Sequence, residues 1–112
     1  MRNVLKIDID NTFTLLDLDA PEGSLKVLQT AVGGHIERVQ LANGKIDMWI
    51  NEEGLYVYTP DQVNPFASRL QALAYGQGHI RGPVVLTGGV DAEGETRALS
   101  SADLYIFEFL LK

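Results

Sequence analysis

Ile36 to Asn51, IERVQLANGKIDMWIN, is the stretch whose reading decides the fold. Ile36–Leu41 and Lys45–Asn51 read as strands joined by Ala42-Asn43-Gly44, and Asn-Gly is a strong short hairpin signal because both residues tolerate positive φ. The second strand carries Ile46, Met48 and Ile50 on one side and Asp47, Trp49 and Asn51 on the other. An antiparallel hairpin with one apolar face needs a further layer to cover it.

Reading outward from this hairpin, Val4–Asp10 alternates, with Leu5, Ile7 and Ile9 opposite Lys6, Asp8 and Asp10, the period of a half-buried strand. Asp10-Asn11 turns it into a second strand over Thr12–Leu18. Asp19, Pro21, Glu22 and Ser24 then start a helix with Leu25, Leu28 and Val32 at helical spacing, ended by Gly33-Gly34. Asn64 caps a second helix with Pro65 in its first turn; Phe66, Ala67, Leu70, Leu73 and Ala74 form its apolar face and Gly76 closes it. Val84–Thr87 is a short β-branched strand between glycines, and Asp91–Glu95 a turn. From Ser100 a capping pattern assigns helix to the last segment, although Tyr105, Ile106, Phe107 and Phe109 suit a strand equally. The expectation is an α+β fold, one small domain over residues 1–112, with a mostly antiparallel sheet built from hairpins and two or three helices.

At 112 residues, with 46% hydrophobic and 21% charged content, the chain can bury a core without staples. It has no cysteine, which removes thiolate catalysis, sulfur-ligated zinc and disulfides, and fits a reducing cytoplasm. The start, MRNVLKIDID, is not the pattern of a signal peptide, and no apolar run approaches the roughly 20 residues of a membrane span. Fifteen acidic against nine basic residues give a net charge of −6, which repels a phosphate backbone, so neither nucleic acid nor membrane is an expected partner.

Catalytic motifs are thin. Ile7–Thr12, IDIDNT, resembles the first motif of haloacid-dehalogenase-type phosphatases, with Asp8 and Asp10 at the nucleophile and acid/base positions. That family needs a buried parallel strand and later lysine and aspartate motifs, which this hairpin-rich chain has no room for. Gly33-Gly34 follow a helix rather than leading into one, and Thr87-Gly88-Gly89 run into Asp91 and Glu93, so neither is a phosphate cradle. His35 and His79 stand apart without metal-ligand spacing, and no serine sits on a nucleophile elbow. The expectation is no enzyme, no catalytic residue, no metal and no cofactor.

Two constellations remain. Trp49, with Tyr56 and Tyr58, makes an aromatic set with polar handles, the composition enriched at protein interfaces. Asn51 and Glu52 crowd the end of a strand, where with Asn64 and Arg81 they could line a sheet-end pocket for a small ligand, for instance a nucleotide.

Separated motifs, Val32-Gly33-Gly34-His35-Ile36-Glu37, Asn51-Glu52-Glu53-Gly54, Asn64-Pro65 with Ala67, and Gly82–Gly88 (GPVVLTG), occur in an order that resembles domain of unknown function family 3846, small proteins of phages and mobile elements. The resemblance spans about Leu28 to Leu99 and implies a cytoplasmic accessory protein in the host cell, with no catalytic residues to carry over. The leading functional expectation is therefore non-enzymatic binding of a host or defence protein through Trp49, Tyr56 and Tyr58, with a possible homodimer. The alternative is the small-ligand module using Asn51, Glu52, Asn64 and Arg81.

Overall fold

The computed structural model describes residues 2–111. In chain order the elements are β1 (Asn3–Ile7), β2 (Phe13–Asp17), α1 (Ser24–Val32), β3 (Ile36–Leu41), β4 (Ile46–Asn51), the single-turn α2 (Gly54–Val57), α3 (Pro65–Tyr75), β5 (Val84–Gly88) and α4 (Ser101–Leu111). Short 3-10 turns occupy Ala42–Gly44 and Pro60–Gln62. Five strands form one sheet in the order β2-β1-β5-β4-β3, with every neighbouring pair antiparallel. The architecture is α+β, and no helix among the described residues is long and apolar enough to cross a membrane.

The hairpin of β3 and β4 forms as its sequence dictates. Ala42, Asn43 and Gly44 all take positive φ, and the register sets Val39 opposite Met48 and Leu41 opposite Ile46. Met48 in turn faces Leu86, and Leu86 faces Leu5, so a row of large apolar side chains crosses the interior strands. That face packs against α3 and α4 through Phe66, Ala67 and Leu111, with Leu70, Leu104 and Phe107 half-buried beside them. On the opposite face Val4, Val85, Ile36 and Trp49 meet Val27, Leu28, Ala31 and Val32 of α1. The sheet is thus sandwiched between one helix and two.

Covering both faces changes several expectations. β1 is not half-buried: Val4 lies in the α1 cluster and Leu5 and Ile7 in the other, all three fully buried. The strand also stops at Ile7, because Asp8–Asn11 form the turn into β2. In α1 the buried residues are Val27, Leu28, Ala31 and Val32, while Leu25 points to solvent. In α3 Phe66 and Ala67 are buried, but Leu73 is 81% exposed and Ala74 is also exposed, since a groove opens between the end of α3 and the β3–β4 hairpin. The last segment is a helix, with Ser100 Oγ accepting from the Asp103 amide. The one-turn α2 brings the helices to four.

Candidate functional site

The four motif segments meet at one end of the sheet, where side-chain hydrogen bonds of Asn51, Tyr58, Asn64 and Arg81 to backbone carbonyls hold the chain. The C-terminal carbonyl groups of a helix lack partners within the helix. At the end of α1 the Val32 carbonyl accepts from Asn51 Nδ2 at 3.1 Å and from the Tyr58 hydroxyl at 2.6 Å. Asn51 Oδ1 accepts from the Glu53 amide at 2.8 Å, which turns the chain sharply out of β4 and starts α2. Burial raises the Tyr58 phenol above its ordinary pKa, with the Asn51 contact opposing, so the hydroxyl stays a donor.

Arg81 closes the other side. Its Nη1 donates to the carbonyls of Leu55 and Tyr58, both at 3.1 Å, placing a cation at the C-terminal end of α2, and its Nε donates to His79 Nε2 at 3.1 Å. Gly82 follows with φ +85°, and a Cβ there would overlap the edge of the Tyr58 ring. Gly33 ends α1 with φ +83°, and its Cβ would meet the Tyr58 hydroxyl at 2.7 Å. Both glycines are therefore required by the seating of one tyrosine as well as by their own backbones.

Asn64, fully buried, ties α3 into this arrangement. Its Oδ1 accepts from the Ala67 amide at 3.0 Å as the helix cap, while Nδ2 donates to the carbonyls of Ile7 at 3.1 Å and Gly82 at 3.0 Å. One side chain thus joins β1, α3 and the segment before β5. The Asn64 amide also donates to the Ile80 carbonyl at 2.7 Å, and the Gly82 amide to Gln62.

On this frame stands α2. Tyr56 is 90% exposed, with Leu55 and Val57 on either side at 57% and 56%. Three large apolar residues in succession face water on a turn whose ends are pinned by Asn51, Tyr58 and Arg81.

The expected aromatic set therefore divides. Tyr56 is on the surface, Tyr58 is the strut beneath it, and Trp49 packs with the α1 cluster, its indole Nε1 donating to Thr87 Oγ1 at 2.9 Å. In the alternative set, Asn51 and Asn64 are buried with their amides committed to the backbone, Arg81 is committed to Leu55, Tyr58 and His79, and Glu52 is exposed. Two surface grooves have other linings. One of about 750 Å³ lies between the β3–β4 hairpin, α3 and Phe107, and one of about 500 Å³ runs along Gln71, Tyr75 and Gly78–His79. The sequence marks Gly33 as a helix end and Asn64 as a helix cap; what it does not show is the pair of bonds from Asn64 Nδ2 to the Ile7 and Gly82 carbonyls and the seating of Tyr58 against Gly33 and Gly82.

Two carboxylates stand apart from this frame. Asp10 accepts from the Thr12 amide at 3.1 Å and hydroxyl at 2.6 Å, which holds its pKa below the usual range and closes the β1–β2 turn. Asp47 is buried on β4 and neither of its carboxyl oxygens has a hydrogen bond. The neighbouring Thr87 hydroxyl already accepts from Trp49 and donates to the Gly88 carbonyl, and Arg38 Nη1 is 4.0 Å away. Desolvation pushes the Asp47 pKa up, with Arg38 opposing. Among the described residues no group of three or more His, Asp or Glu side chains could hold a metal ion.

The chain belongs to the family described as Domain of unknown function (DUF3846), whose model matches residues 1–110. No curated protein and no solved structure matches it.

Proposed function

We propose that this member of the family is a phage or mobile-element accessory protein that acts by binding, without catalysis, in the cytoplasm of the host cell. Its partner is a host or defence protein, and its contact is the α2 turn, Leu55-Tyr56-Val57. The observation that carries the reading is the 90% exposure of Tyr56 on a turn held at both ends by hydrogen bonds, from the Glu53 amide to Asn51 at one end and from Arg81 to the Tyr58 carbonyl at the other. A tyrosine offers large contact area and a polar tip, and a turn already rigid loses little entropy on docking. Tyr58 and Trp49 serve this contact indirectly, one as the strut under α2 and the other as core beneath α1. The family resemblance supports the phage origin and the absence of assigned catalytic residues.

The test is quantitative capture from host lysate by the native chain and by Tyr56→Ala, with the unfolding midpoint measured for both. Loss of an anchor residue costs about 2 kcal/mol or more, thirty-fold in affinity, for a specifically retained protein. The same proteins retained with native affinity by a folded Tyr56→Ala chain would overturn the assignment of the contact to α2.

A further inference from the structure

Helix α4 carries a second surface that the α2 reading does not use. Its inward side, Leu104, Phe107 and Leu111, packs on the sheet. The outward positions are Ala102, Tyr105, Ile106, Phe109 and Leu110, spaced i, i+3, i+4, i+7 and i+8. That is the spacing of a core-facing stripe, yet every one of these residues is exposed, Tyr105 at 73% and Phe109 at 68%. The stripe contains no charge. A helix apolar on both sides is the pattern of a buried element.

Beside the stripe lies the groove of about 750 Å³ between α3 and the β3–β4 hairpin. Its walls include Leu41, Ile46, Leu70, Leu73 and Tyr75, and Phe107 of α4 forms part of its lining. A largely apolar groove, polar at its Gln40 and Asn43 end, thus reaches α4 at Phe107, one residue from the Ile106 position of the ridge. Two copies related by a two-fold axis would seat each ridge in the other's groove, an arrangement that closes at two.

Area supports the same occupant. With about 200 Å² taken for each whole large side chain, the exposed fractions of Tyr105, Ile106, Phe109 and Leu110 correspond to about 500 Å². Adding the exposed Leu73 and Tyr75 brings this to about 800 Å² per copy, the share each partner contributes to an interface of standard size. We propose that the chain forms a two-fold homodimer in which the Tyr105, Ile106, Phe109 and Leu110 ridge of α4 docks in the partner copy's groove between α3 and the β3–β4 hairpin. The two α2 turns are then carried by one dimeric particle.

Charge gives the dimer a signature. Each chain carries −6, so two copies repel at long range while their contact is apolar. Salt screens the repulsion and tightens the dimer, whereas docking of an oppositely charged protein would weaken with salt.

The experiment is sedimentation equilibrium of the native chain, Phe109→Asp and Leu73→Asp at low and high salt. Native protein at tens of micromolar is expected at twice the 12.3 kDa chain mass, with the dimer constant improving as salt rises. Both variants are expected to be monomeric with a native circular dichroism spectrum, since both positions are exposed. A variant that fails to fold is replaced by Ile106→Lys or Tyr105→Ser, read the same way. A native chain that stays monomeric at 100 μM, or folded ridge variants that remain dimeric, would overturn the proposal.

Discussion

Replacing Asn64 by alanine should be the most damaging single polar substitution in the chain. The side chain makes three buried hydrogen bonds, one accepted from the Ala67 amide and two donated to the Ile7 and Gly82 carbonyls. Loss of an asparagine helix cap costs about 1 kcal/mol, within a range of roughly 0.5–2. Each carbonyl left without its donor in the interior adds about 1 kcal/mol or more. The sum, about 3–4 kcal/mol, is a large share of the roughly 5–15 kcal/mol that stabilises a domain of this size. In a thermal melt it corresponds to a fall of about 12–20 °C. Asn64→Ser separates the parts, because its hydroxyl can still cap α3 but cannot reach both carbonyls, so about 1 kcal/mol should return. Urea titration of native, Asn64→Ala and Asn64→Ser proteins measures all three. A loss below 1 kcal/mol for alanine would refute the view that this residue joins β1, α3 and the segment before β5.

Asp47→Asn should stabilise the protein at pH 7 by about 1–3 kcal/mol, by removing a buried charge that has no hydrogen bond. The raised native pKa fixes the sign: below about pH 3.9, the ordinary aspartate value, the carboxyl is protonated in both states and costs nothing as a charge. As pH rises past that value the unfolded chain ionises first and native stability falls, so urea midpoints of the variant and native proteins should converge near pH 3 and separate towards pH 7. A variant less stable than native at pH 7 would contradict this. Gly82→Ala combines a left-handed backbone with a Cβ that overlaps one edge of the Tyr58 ring, and a loss of about 2–4 kcal/mol with an altered near-ultraviolet tyrosine signal is expected. Phe66→Ala should cost about 3–5 kcal/mol, whereas Leu73→Ser, at an exposed position, should change the unfolding free energy of the diluted monomer by less than about 0.5 kcal/mol.

Local signals made much of the fold legible. Asn43-Gly44 marked the β3–β4 hairpin, Asn64-Pro65 the start of α3, and Gly33 the end of α1. What periodicity could not supply was the second covering layer. The alternation in β1 suggested one wet face, but Val4 is sealed by α1, a contact across more than twenty residues of chain. The same layer took in Trp49, whose indole found Thr87 from the neighbouring strand. Leu73 kept helical spacing with Leu70 and Phe66 although the sheet does not extend beneath it. At the sheet end, Asn51, Asn64 and Arg81 were identified as chemically capable residues, but only their folded surroundings give their bonds to backbone carbonyls. Tyr56 and Tyr58 are two residues apart in sequence, and a single turn of helix sends one to solvent and the other to the carbonyl of Val32.

The proposed contact depends on two things, a platform built by the sheet-end residues and Tyr56 presented on it. It is tested most directly by measuring, on the same preparations, the unfolding midpoint and the affinity for the retained host protein of Tyr56→Ala, Tyr58→Phe and Asn51→Ala. The account predicts that Tyr56→Ala unfolds with the native chain, within about 0.5 kcal/mol, while its affinity drops at least about thirty-fold. Tyr58→Phe and Asn51→Ala should each lose about 1–2 kcal/mol of stability through the Val32 carbonyl. A Tyr56→Ala protein that is destabilised like the other two, or one that binds as tightly as the native chain, would contradict the account.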